Sequence, residues 1–209
     1  NKNAKKQAAG KTLRYNKCDE TTRAGLDASR LTEWEKWKKF NAGYIARGEL
    51  LRELTAEGHK LIPTQWIETD RNSHKRRDGG AFIAPDLKSR LVGCGQFEDT
   101  VGIRTDSPTC ELEGLHLLFS WAACNKVKLK AADVSNAYFQ AKPLDRLILL
   151  KPPPGGLPGE GDLTDAAVVA RVPIYGFRDA GRNFWKQLRE VIQKACLLYT
   201  SDAADDANC

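Results

Sequence analysis

No stretch of this 209-residue chain approaches the roughly 20 consecutive apolar residues that a membrane-spanning helix needs. No secretory leader pattern is visible either. Of the six cysteines, Cys18, Cys94, Cys110 and Cys124 show no metal-ligand spacing, and Cys196 and Cys209 lie in an unusual tail. The four read as reduced thiols of an intracellular protein, without disulfides. No internal repeat appears. The stretch from Lys151 to Asp162, rich in proline and glycine, contains no phosphate-loop pattern and reads as a plain loop. His116, one of three histidines, reads as a packed or surface residue and not as a ligand.

Charged residues make up 29% and hydrophobic residues 41%, enough for a folded core. The charge is uneven. Residues 1–90 hold 20 Lys+Arg against 12 Asp+Glu, a net of +8, while the remainder holds 13 against 15, a net of −2. A basic front half suits a polyanion, since phosphate contacts dominate nucleic-acid affinity. On charge alone, a solvated lysine-rich surface is the better reading.

Residues 1–30 are polar and lysine-rich without a sustained period, and read as a basic linker or disordered segment. Leu31 to Phe40 has helical spacing at Leu31, Trp34 and Trp37, with Ser29 or Thr32 as cap. Gly48 to Gly58 is a second helical run. Leu61 to Thr69, with Pro63 at an edge position, and Leu87 to Cys94 read as strands. They flank a basic loop carrying Lys75, Arg76 and Arg77, giving a hairpin with a charged tip. Glu111 to Cys124 reads as an amphipathic helix burying Leu115, Leu118, Phe119 and Ala122. Leu147 to Leu150 and Ala166 to Val172 read as strands, and Asp179 to Lys194 as a helix turning Phe184, Leu188, Val191 and Ile192 inward.

The most informative stretch runs from Ala132 to Gln140. Val127, Leu129 and Ala131 alternate with lysines at the strand period, and Asp133 follows where that strand ends. Such a rim carboxylate suits two-metal phosphoryl transfer, although an Asp at a strand end is more often a turn former. Its neighbours, in order, are Trp66-Ile67, Lys88-Ser89-Arg90-Leu91-Val92, Ser107-Pro108-Thr109, Leu149 to Gly155 and Tyr175 to Trp185. Together they resemble the reverse transcriptase of copia-type retrotransposons over about residues 31–194.

The resemblance implies an α/β (α+β) fold, a partial right-hand polymerase with fingers and palm over residues 31–195, ending before the second catalytic motif. It implies an RNA-directed DNA polymerase that uses two Mg²⁺ ions, an RNA template, a DNA primer and deoxynucleoside triphosphates. Asp133 would then bind both metals and the Val134 carbonyl one of them. Tyr138 would gate the sugar, Lys88 and Arg90 would contact the triphosphate, and Lys75, Arg76 and Arg77 would meet nucleic acid. It also implies a cytoplasmic particle or the nucleus as location, with no membrane.

Two departures stand against activity. The family's aromatic-x-Asp-Asp block is missing, since the only Asp-Asp pair, Asp205-Asp206, lacks that context. Asp179 occupies a position where the family usually has a glutamine facing the nucleotide, and only pairing, with Arg178 or Arg182, would remove its repulsion. In addition, residues 196–209 include a run resembling a translated sequencing adaptor, which would make them a non-native tail. The competing readings are a non-catalytic nucleic-acid-binding remnant and a non-functional transcribed fragment. A palm strand without its neighbours exposes an edge, so the isolated chain is expected to unfold without cooperativity or to aggregate. A single cooperative thermal transition from a compact monomer, by calorimetry and scattering, would contradict this.

Overall fold

The computed structural model describes residues 11–56, 58–76, 83–99 and 101–194. The first long element is helix α1, Glu20–Lys39. Asp19 caps it, accepting from the Thr22 amide at 2.8 Å and from the Thr22 hydroxyl at 3.0 Å. The helix begins well before the expected Leu31, inside the segment read as a linker. The reason lies in its buried stripe: Leu26, Arg30, Glu33, Trp34 and Trp37 follow the helical period, but two of the five are charged. Hydrophobic spacing alone therefore finds only its second half. At its end Asn41 turns left-handed at φ 49°, and the Ala42 amide reaches back to the Trp37 carbonyl.

Strand β1, Gly43–Arg47, follows and was not expected. Helix α2, Gly48–Ala56, comes next, then β2, Leu61–Asp70, and β3, Leu87–Gly93. Helix α3 spans Leu112–Cys124, β4 Ile148–Lys151, β5 Ala166–Ala170 and α4 Ala180–Lys194. The strands form one sheet in the order β1-β5-β4-β2-β3. Every pairing is antiparallel except β2 with β4. The architecture is thus a mixed α/β fold. Strand β2 is internal, which corrects the edge position expected for Pro63: that residue pairs with Lys151 of β4, and pairing with β3 begins at Thr64.

The main core joins Trp34 and Trp37 of α1 to Ile62, Leu91, Phe139, Leu150, Val168 and Ile174. A smaller cluster, Ala46, Leu149 and Val169, is covered by Leu51 and Leu54 of α2. Successive strand residues point to opposite faces, so Val168 and Val169 serve different clusters. This explains why all five residues of β5 are buried. The β2–β3 hairpin is tied at its tip by buried Asp70, which accepts from the Asn72 and Asp86 amides and pairs with Arg76.

Two expectations fail around the Asp133 segment. Residues 127–134 form no strand, and they are exposed. A strand exists only with a hydrogen-bonding neighbour, and none lies beside this run among the described residues. The α3 face expected to be buried is largely open: Leu118 and Phe119 are exposed, Leu115 is half-buried and only Ala122 is buried. In α4, Phe184, Leu188 and Ile192 are half-buried, while Val191 is exposed.

Two chain segments meet through glycine. Gly93 donates its amide to the Tyr175 carbonyl at 2.8 Å. A Cβ on Gly176 would strike the Gly93 carbonyl, and one on Gly95 would strike the Gly176 carbonyl. Gly176 also holds φ +97°. Gly176→Ala is expected to lower stability by at least the 1–3 kcal/mol or so of a strained backbone. The check is urea denaturation beside Gly161→Ala, whose φ is +68° but whose Cβ would meet open space. Equal losses in the two variants would contradict the close crossing.

Candidate active site

The segment carrying Asp133 ends in a tight turn. Asn136 is left-handed at φ 54°, Ala137–Gln140 form one turn of 3-10 helix, and the Gln140 side chain donates to the Ser135 carbonyl at 2.7 Å. The turn drives Phe139 into the core, where its ring meets those of Trp37 and Tyr175 edge-on at 5.5 and 6.0 Å. Its neighbour Tyr138 stays half-buried, with its ring centre 4.9 Å from Tyr175 and 6.5 Å from Phe184. Tyr138 is therefore packed among aromatic rings. Asp133 and Val134 are exposed.

On the other side of Tyr175 stands β3. The exposed Arg90 guanidinium lies 4.7 Å from the centre of the Tyr175 ring, a cation–π contact. Burial pushes the Tyr175 hydroxyl pKa up; Arg90 opposes the rise, while Glu33, Tyr138 and Asp133 add to it. Tyr175 thus stands within the electrostatic reach of residues from α1, β3 and the Asp133 turn. Lys88, two residues from Arg90 on the same face of β3, is half-buried. Burial first, then Arg90, Arg71 and Lys36, hold its ammonium pKa below the usual value. The buried Glu33 carboxyl is raised by burial, with Lys36, Arg90 and Lys88 opposing. A cationic edge flanked by one buried acid can receive a polyanion such as a triphosphate.

The structure brings Arg90 and Tyr138 against the Tyr175 ring, and Asp133 lies in the exposed segment that leads into the Tyr138 turn. Arg76 turns back onto Asp70 and the Ile83 carbonyl. Lys75 is exposed, and Arg77 lies outside the described residues, as do residues 1–10 and 195–209. Sequence reasoning passed over Tyr175 and Glu33. Tyr175 opens a quoted block but has no chemistry of its own to mark it, and Glu33 resembles any helix-surface acid.

Asp179 does not face an open nucleotide site. It is buried and accepts from Arg146 at 2.8 Å and from Asn183 at 2.9 Å. Arg146 also binds Glu98 at 2.5 Å. Its partner is therefore neither Arg178 nor Arg182, and Arg182 pairs with Asp106 instead. One oxygen of each carboxylate, Asp179 Oδ1 and Glu98 Oε2, is buried without a partner.

The two Mg²⁺ ions are expected of the complete enzyme, and would need carboxylates besides Asp133. Magnesium needs several hard oxygen donors, and among the described residues no group of three or more His, Cys, Asp or Glu is gathered to hold a metal. Asp133 is the one expected carboxylate. Among the described residues, no helix is long and apolar enough to cross a membrane.

The described residues form a mixed α/β fold with a five-stranded sheet. The family model for reverse transcriptase (RNA-dependent DNA polymerase) matches residues 53–203, and the chain belongs to that family, which is typical of copia and Ty1 retrotransposons. No curated protein and no solved structure matches the chain. Helix α1 and strand β1 precede the matched residues, yet α1 packs on β3 and β1 pairs with β5. They are part of the same fold.

Arg146→Ala would leave the Asp179 and Glu98 carboxylates buried without their cation. The expected loss of stability is about 3–5 kcal/mol, measured by urea denaturation. A loss in the range of an exposed ion pair, about 0–1 kcal/mol, would contradict the arrangement.

Proposed function

We propose that the chain is the fingers and first part of the palm of an RNA-directed DNA polymerase of a copia-type retrotransposon. The observation that carries this is the run of contacts from Arg90 through Tyr175 to Tyr138, at 4.7 and 4.9 Å, in the turn that follows Asp133. It joins the two sequence blocks to which the resemblance assigns triphosphate contact and catalysis. In this reading the polymerase part takes in helix α1, from Glu20, together with the matched residues 53–203.

Arg90 and Lys88 meet the triphosphate of the incoming nucleotide, where fixed positive charge stabilises charge developing during transfer. Tyr138 lies against the sugar, held by Tyr175 and Phe184. Asp133 is one carboxylate of the catalytic set. The family implies divalent metal use; this sequence supplies only part of the donor set, so the reading assigns its residues binding and positioning roles. RNA template, DNA primer and deoxynucleoside triphosphates are the substrates.

The burial of Asp179 against Arg146 favours a second reading. Where a neutral amide would meet the nucleotide, this chain has a carboxylate locked in an ion pair. A non-catalytic nucleic-acid-binding remnant accommodates that change without cost.

The test uses a longer polypeptide that continues through an aromatic-x-Asp-Asp turn. It should copy an RNA template in Mg²⁺, and Asp133→Asn should reduce synthesis by at least about a hundredfold. Arg90→Ala should raise the KM for deoxynucleoside triphosphates. Unchanged synthesis in Asp133→Asn would sink the assignment, and binding without any synthesis would favour the remnant.

A further inference from the structure

Helix α1 runs along β3 in step with it. A Cβ on Gly25 would touch the Leu87 side chain, Ser89 Oγ donates to the Leu26 carbonyl at 3.3 Å, and the Ser89 amide donates to Ser29 Oγ at 2.8 Å. Four helical residues rise about 6 Å, close to the roughly 6.6 Å that two strand residues advance. The turn after Ser29 therefore brings Glu33 to the level of Leu91, next to Arg90 in the strand. Glu33 precedes the residues that the family model matches.

Glu33 is 3% exposed, and its Oε1 is buried without a partner. Its other oxygen lies 3.7 Å from the Nζ of Lys36 on the same helix. Burial pushes the carboxyl pKa up, and Lys36 of α1 with Arg90 and Lys88 of β3 oppose the rise. Tyr175 also lies within reach of the Glu33 charge, and stays neutral because burial pushes its hydroxyl pKa up. A buried carboxylate held this loosely costs stability, and a neutral side chain would pack here without that cost. The charge therefore has a use outside packing.

We propose that Glu33 tunes the affinity of the Lys88–Arg90 edge for a polyphosphate, by opposing the anion as a carboxylate and ceasing to oppose it once it has taken a proton from water. The inference rests on the reading of Lys88 and Arg90 as triphosphate contacts. With the edge empty, these two cations offset the Glu33 charge. A polyphosphate draws on the same cations and adds negative charge beside the carboxylate. Like charges that compete for one set of cations disfavour each other, so the carboxylate gains a proton as the anion settles. The bound state then holds more protons than the free one, and affinity rises as pH falls through the raised carboxyl range. Glu33 acts on the anion through charge and is not a catalytic residue.

The experiment is titration calorimetry of the full chain with inorganic tripolyphosphate, from mildly acidic to mildly alkaline pH at fixed ionic strength. Glu33→Gln keeps the side chain's shape and removes a buried charge, so the fold should survive, which circular dichroism checks. At the alkaline end Glu33→Gln should bind about tenfold more tightly than the parent, the factor that one pKa unit of coupling gives. At the acidic end the two should converge. The ligand's own ionisation acts on both proteins alike and drops out of their ratio. A ratio that does not change with pH, while Arg90→Ala still loses affinity, would overturn this inference alone. No binding by the parent, or Arg90→Ala binding as tightly as the parent, would overturn the triphosphate reading of the edge and this inference with it.

Discussion

The crossing of Gly176 over Gly93 and Gly95 is the constraint on which the candidate site depends. A Cβ on Gly176 would strike the Gly93 carbonyl, one on Gly95 the Gly176 carbonyl, and one on Gly93 the Phe177 ring. The close approach lets the Tyr175 carbonyl accept from Gly93 and sets the Tyr175 ring beside β3. Arg90 then has a ring to stack on, and Tyr138 has one to pack against. A bulkier residue at any of the three glycines would separate the hairpin from the turn that bears Asp133. The phenylalanine that follows, Phe177, is buried in the main core and anchors the crossing from within.

Arginine governs the buried charge of this fold. Arg30 serves Glu68, Arg76 serves Asp70, and Arg146 serves both Asp179 and Glu98. The planar guanidinium suits such pairs because it presents several donors in a fixed fork. Glu33 departs from the pattern. It is buried, its nearest cation is Lys36 at 3.7 Å, and its Oε1 has no partner. Burial raises its pKa, and Lys36, Arg90 and Lys88 oppose the rise.

Where local pattern and burial agreed, the sequence was readable. The β2–β3 hairpin, β4, β5 and α4 fell close to their expected ranges, because their apolar residues are spaced as their periods demand. The first half of α1 was hidden by Arg30 and Glu33 within its buried stripe. Strand β1 was hidden by its brevity, since Gly43–Arg47 has meaning only against β5, far along the chain. The run to Asp133 has the alternation of a strand but, among the described residues, no neighbour to make it one. Of the site, the charged and catalytic types were legible as residues. Tyr175, which gathers them, was not, because its role comes from a backbone crossing that no spacing rule records.

The pairing of β1 with β5 also dictates an order of events during synthesis. Residues 43–47 leave the ribosome well before residues 166–170 exist. At about 5–20 residues per second, the gap is several seconds to a few tens of seconds. Through that interval β1 has no strand to join, and Leu149 and Val169 are not yet there for α2 to cover. Long-range pairing of this kind is slow to form and leaves apolar surface open meanwhile. The sheet can therefore close only once β5 has emerged.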